Sequence, residues 1–332
     1  MSFFKGLCKN ASRNEYGKDH FMTITEQVKK ILRNYESDNP GTKTNLARLL
    51  SHGRLGGTGR MIILPVDQGF EHGPGRSFSC NPSAYDPHYH FELAIEAGLS
   101  AYAAPLGMLE AGASTFAGAI PTILKMNSGN VLSRSTSEPL RADQAITASI
   151  SDALRLGCSA IGFTIYPGSD HMYDMYEEIK ELAKEAKAYG LAVIIWSYAR
   201  GNMSKAGETA IDVIAYGAHM AALLGAHIIK VKLPSDHLEI EAAKKEYLKN
   251  HVKVSTLEKR VQHIVESCFN GRRLVVFSGG DTKDVDSIYE DARAIRDGGG
   301  NGSIIGRNCF QRPRNEALKM LDKMINIYLH KN

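Results

Sequence analysis

From residue 61 onward the chain repeats one unit: a short, mostly apolar run, a turn, and a stretch with helical spacing. The runs are MIILPV (61–66), SAYAAP (100–105), PTILKM (121–126), SAIGFTI (159–165), LAVIIWS (191–197), AHIIKVKL (226–233), RLVVFS (273–278) and GSIIG (302–306). Runs this short and this apolar are what parallel strands look like when helices cover both sheet faces. Helical patterns fill the gaps at 172–190, 207–226 and 284–300, and another at 315–330 closes the chain. Between the second and third runs the segment 107–119 is short and rich in glycine. Eight strands separated by helices predict an α/β protein with a (β/α)8 TIM barrel; a doubly wound open sheet is the alternative that fits the same alternation. Residues 1–60 carry two helical patterns, TEQVKKILRNYE and TKTNLARLL. They are expected to form an N-terminal helical extension to a catalytic barrel of residues 61–332.

Composition narrows the function classes. With 332 residues and 43% apolar content, the chain can bury one large core. The net charge of +4 is spread without a basic block or acidic tail, so charge does not suggest nucleic acid as a partner, while a small anionic substrate fits. Cys8, Cys80, Cys158, Cys268 and Cys309 are odd in number, scattered, and never in a C-x-x-C pair. That pattern predicts free thiols in a reducing cytoplasm and neither a disulfide framework nor a structural zinc site. The first twenty residues lack the apolar core of a secretory signal. No stretch approaches the roughly 18 apolar residues of a membrane span. A cytoplasmic protein is expected.

A barrel enzyme carries its chemistry at the C-terminal ends of its strands. The sixth run, AHIIKVKLPSD, places Lys230 and Lys232 on one face and Ile229, Val231 and Leu233 on the other. An inward-facing lysine can act as a nucleophile when neighbouring positive charge or desolvation lowers its pKa. Lys232, or Lys125 at the end of the third strand, is placed to supply such charge. A structural ion pair of Lys230 with Asp67 or another acid is the plainer alternative. Asp67 follows the first strand in PVDQGFEHGPG, and Trp196 and Tyr198 share a face at the end of the fifth. The last two strand ends read FSGGDTKD and GRNCFQR. Ser278, Gly279 and Gly280, with Gly306 and Arg307, have the makeup of phosphate loops, where bare backbone N–H groups and a guanidinium meet an anion.

Other motifs carry less. His88 and His90 lack a placed third metal ligand. The glycine runs at 56–59 and 298–300 precede their strands, whereas a dinucleotide fingerprint follows one. His72, in the loop after the first strand, either lines the site or shapes a turn.

Taken together, PVDQGFEHGPG, IIWSYARG, GAHIIKVKLPS, FSGGDTKD and GRNCFQR resemble the class I fructose-1,6-bisphosphate aldolases of archaeal type, in their bacterial branch. The resemblance runs from about residue 60 to the C-terminus. It implies a (β/α)8 barrel, a covalent Schiff base with substrate, no metal or other cofactor, and a large homo-oligomer. It places the Schiff-base lysine on Lys230, the proton-transferring tyrosine on Tyr198 with Trp196 beside it, and the acid of the first strand on Asp67. It also puts the phosphate loops on Ser278 to Gly280 and on Gly306-Arg307. Arg200, Lys125 and Lys232 are left as candidates for the second phosphate. Many relatives read D-H-G where this chain reads Asp67-Gln68-Gly69, and His72 is then the candidate substitute for that histidine. The alternatives are a Schiff-base enzyme of the same family acting on another sugar phosphate, and a barrel that binds phosphate without covalent chemistry, as an isomerase or a metabolite-binding protein.

Overall fold

The computed structural model describes residues 24–133, 142–279 and 283–331. Its centre is a closed barrel of eight parallel strands: β1 (Met61–Pro65), β2 (Ala101–Pro105), β3 (Thr122–Lys125), β4 (Ala160–Ile165), β5 (Ala192–Ser197), β6 (Ile228–Lys232), β7 (Leu274–Ser278) and β8 (Gly302–Ile304). Every strand pairs with its sequence neighbours, and β8 closes on β1 with Met61 opposite Gly302. The alternation therefore resolves into the barrel and not into an open sheet. A two-stranded antiparallel ladder, Asn127–Ser128 with Ala145–Ile146, follows β3 and was not foreseen.

Side-chain parity divides the strands into two cores. Ile62, Leu64, Phe163, Val193, Ile229, Val231 and Phe277 point outward and pack under the helices. Met61, Ile63, Ile123, Ile194, Trp196, Ile228 and Val276 fill the barrel interior. The helix Met172–Ala188 shows how the outer layer is specified: its buried residues Met175, Ile179, Ala183 and Ala186 recur at one-turn spacing. It ends at Gly190, whose φ of +79° and close approach to Gly41 leave no place for a side chain.

The interior core continues into the N-terminal segment. Val28, Ile31, Tyr35, Leu46, Leu49 and Leu50 belong to the same cluster as the inward strand residues. They come from helices Glu26–Leu32 and Pro40–Ser51 and the turn between them, so this segment closes the N-terminal mouth of the barrel. Burying each leucine there contributes about 1.5–3 kcal/mol. Thr25 and Asn39 cap the two helices by accepting from Val28 N and Thr42 N. Polar ties reinforce the seal: Tyr35 donates to the His227 carbonyl at 2.6 Å, and His227 Nε2 meets Asp38 Oδ2 at 3.0 Å. Among the described residues, no helix is long and apolar enough to cross a membrane.

Candidate active site

Inward parity carries functional side chains to the open, C-terminal mouth. There they surround a cavity of about 480 Å3. Asp67, His72, Tyr198, Arg200, Lys230, Lys232, Ser278, Gly279, Gly306 and Arg307 all line it. Gly280 lies outside the described residues. Trp196 and Lys125 sit beneath the cavity and not on its wall: both are fully or nearly fully buried.

Lys230 is 4% exposed. Its Nζ lies 4.6 Å from the centre of the Trp196 ring and 5.2 Å from that of Tyr198. Among the described residues no carboxylate pairs with it, so the structural ion pair weighed as its alternative role is not found. Register explains the Trp196 contact, because Trp196 lies directly opposite Lys230 across β5 and β6. Room for the indole comes from Gly162 on β4, where a β-carbon would come within 3.0 Å of the ring. Gly162→Ala is expected to displace the indole and to cost about 1–3 kcal/mol of stability. An unchanged denaturation midpoint would contradict that reading of the packing.

The other two lysines have partners. Lys232 Nζ is 3.4 Å from Glu208, which also pairs with Lys205 at 3.0 Å. Burial lowers the pKa of Lys232, and Glu208 opposes that shift. Lys125 also lies over Trp196, 5.1 Å from the ring centre. Its ammonium donates to the carbonyl of Asn127, to Asn127 Oδ1 at 2.9 Å and to Gln144 Oε1 at 3.0 Å. Burial draws its pKa down to about 7, the carboxylates of Asp67 and Glu71 pull it back up, and the like charge of Lys230 lowers it further.

The wall formed by the loops after β7 and β8 is built by close backbone approach. A β-carbon on Gly306 would stand 2.7 Å from the Pro65 carbonyl, so β1 and the loop after β8 can meet only at glycine. The buried Asn308 accepts from Lys283 N at 2.7 Å and so ties that loop to the one after β7.

Several buried polar atoms here have no partner among the described residues: Asp67 Oδ1, Gln68 Oε1, His72 Nδ1, Arg200 Nε and, below them, Trp196 Nε1. Buried polar groups are normally satisfied, so such a cluster marks a place shaped for water or a polar ligand. Burial lowers the pKa of His72, with Glu71 opposing and Arg76 and Arg307 lowering it further, which favours the neutral imidazole at pH 7. Glu71 sits between His72 (3.7 Å) and Arg200 (3.8 Å). His88 and His90 are elsewhere, bonded to the carbonyls of Ala111 and Ala84.

Glu71, Arg76, Lys205, Glu208, Lys283 and Asn308 belong to this site or its rim and were missed in the sequence. Glu71, Lys283 and Asn308 lie inside the motifs quoted for their neighbours and were within reach. Glu208 lies at the start of the helical pattern 207–226, but in a 3-10 turn ahead of the helix Ile211–Leu223, so helical spacing did not place its side chain.

Comparison with known proteins points the same way. The profile of the DeoC/LacD family aldolases matches residues 61–312. A probable class 1 fructose-bisphosphate aldolase of Chlamydia muridarum is 34% identical over 312 residues, covering 89% of this chain and 86% of the relative. The class 1 fructose-bisphosphate aldolase of Thermoproteus tenax is 34% identical over 262 residues, covering 79% and 86%. Among solved structures, an archaeal fructose-1,6-bisphosphate aldolase has its catalytic lysine covalently bound to the carbinolamine intermediate. It superposes with a TM-score of 0.70 at 30% identity, covering 86% of this chain and 98% of its own.

Proposed function

Since the chain belongs to the DeoC/LacD family of aldolases, we propose that it is a lyase of class I type that reversibly cleaves fructose 1,6-bisphosphate to dihydroxyacetone phosphate and glyceraldehyde 3-phosphate. The observation that carries this reading is Lys230: a buried, inward-facing amine, free of any carboxylate among the described residues, in one cavity with Tyr198 and the phosphate loops.

The Lys230 amine attacks the ketone carbon, C2, and forms a carbinolamine. Loss of water gives an iminium, which is the electron sink. Removal of the C4 hydroxyl proton lets the C3–C4 bond break. Its electron pair flows into the iminium and leaves an enamine on Lys230, while glyceraldehyde 3-phosphate departs. Protonation at C3 and hydrolysis release dihydroxyacetone phosphate and regenerate the amine. Tyr198 moves protons in the carbinolamine and enamine steps, and Asp67 orients a substrate hydroxyl. No metal or cofactor takes part, because the lysine supplies the electron sink.

Ser278, Gly279, Gly306 and Arg307 hold the phosphate of the dihydroxyacetone half, which anchors the ketone beside Lys230. Arg200 takes the second phosphate. Lys125 is spent on Asn127 and Gln144 and Lys232 on Glu208, whereas Arg200 keeps a buried Nε without a partner among the described residues and meets Glu71 only at 3.8 Å. The incoming phosphate replaces Glu71 as the guanidinium's counter-charge. The enzyme works in the cytoplasm as a homo-oligomer in this reading. Exposed Tyr216 and Leu223 on the helix Ile211–Leu223 offer apolar surface for such contacts.

Incubation with fructose 1,6-bisphosphate is expected to release both triose phosphates, at a rate unchanged by a chelator. Strong inhibition by the chelator contradicts the class I route. Turnover only of a different sugar phosphate favours another specificity within the family.

A further inference from the structure

The second phosphate needs a guanidinium held still, and the structure contains a device for holding it. The Arg200 guanidinium lies 5.1 Å from the centre of the Tyr166 ring. Tyr166 follows directly after β4, is buried, and has its hydroxyl 2.6 Å from Gln144 Nε2. Gln144 in turn accepts from Lys125 at 3.0 Å.

With Lys125 charged, the state that its three oxygen acceptors favour, this chain has one self-consistent orientation. An ammonium can only donate, so Lys125 must face the carbonyl oxygen of Gln144. The amide nitrogen of Gln144 then faces Tyr166, and the phenol oxygen accepts. The far end is equally fixed. Lys125 is held by both oxygens of Asn127, and Asn127 is bonded twice to Thr164 on β4, each bond at 2.8 Å. A buried polar network with its donors and acceptors matched locks the geometry of what it touches. Tyr166 is thereby a rigid aromatic plate, and a planar guanidinium stacks on such a plate.

We infer that Tyr166, fixed from behind by Gln144 and Lys125, is a positioning residue that presents Arg200 to the second phosphate and so sets the preference for a bisphosphate over a monophosphate. This rests on the assignment of Arg200 made above. It gives Lys125 a role unlike the phosphate contact considered from sequence: it acts through two residues, from behind the site. The expected mark of that role is a preference between substrates, because an ordering device for one phosphate does nothing for a substrate that lacks it.

The test compares kcat/KM for fructose 1,6-bisphosphate and fructose 1-phosphate in the wild type and in Tyr166→Leu, Tyr166→Phe, Gln144→Met and Arg200→Met. Tyr166→Leu is expected to lower the bisphosphate-to-monophosphate ratio about tenfold, mainly through KM for the bisphosphate. Tyr166→Phe, which keeps the ring, restores most of that ratio. Gln144→Met removes the donor to the hydroxyl and the acceptor of Lys125 and lowers the ratio less, in the same direction; it stands in if Tyr166→Leu does not fold. A wild-type ratio in Tyr166→Leu, or in Gln144→Met where it stands in, overturns the inference. So does an equal fall in kcat on both substrates, which is what mere loss of packing produces. If Arg200→Met lowers the ratio while the Tyr166 and Gln144 variants do not, Arg200 keeps its assignment and only the platform is refuted. If Arg200→Met keeps the wild-type ratio, the phosphate assignment fails and the platform with it.

Discussion

Lys230→Met is expected to reduce turnover by at least about 10⁴-fold, since it removes the amine proposed to form the covalent bond. Methionine is close to lysine in length and suits the site between Trp196 and Tyr198, so the barrel should fold. Lys230→Arg should fail as completely, because a guanidinium stays protonated and is no nucleophile at neutral pH. Sugar phosphate should still bind both variants, since the loops at Ser278-Gly279 and Gly306-Arg307 remain. Calorimetric titration with dihydroxyacetone phosphate checks binding, and a triose-release assay checks turnover. Retained turnover in either variant would move the nucleophile elsewhere, and lost binding together with lost fold would leave Lys230 a structural residue.

Tyr198→Phe carries the next largest effect. The ring sits 5.2 Å from Lys230 Nζ, so its loss would disturb packing, but phenylalanine keeps the ring and removes only the hydroxyl. Positioned proton transfer contributes about 10²–10⁴-fold to a rate. A fall of at least about 10²-fold in kcat with little change in KM is expected. The covalent adduct should still form, more slowly, because Lys230 remains in place. Single-turnover mixing separates the two steps: slow carbinolamine dehydration and enamine protonation point to Tyr198, and an unchanged kcat removes it from the mechanism.

The barrel was legible because its strands are covered on both faces and so stand out as short apolar runs. β6 is the informative exception. Parity alone separates Lys230 and Lys232 from the outward core residues Ile229 and Val231, and the structure has the same division. The fates of the lysines were not legible. Lys232 pairs with Glu208, and Lys125 turns away from the cavity toward Asn127 and Gln144. Those partners lie in a 3-10 turn, a two-residue strand and a loop, too short or irregular for periodicity to announce a side chain's direction. The ladder Asn127–Ser128 with Ala145–Ile146 was invisible for the same reason: two-residue strands leave no pattern. Helical spacing before residue 60 announced two helices but not their target. That Leu46, Leu49 and Leu50 share a cluster with Ile63 and Ile194 is a long-range fact, set by closure of the barrel.

Borohydride reduction in the presence of dihydroxyacetone phosphate tests the central claim most directly, with the adduct located by fragmentation mass spectrometry to separate Lys230 from Lys232. One stable mass increment is expected, on Lys230, absent in Lys230→Met. An increment on another lysine, or none despite measurable binding of the sugar phosphate, would contradict it.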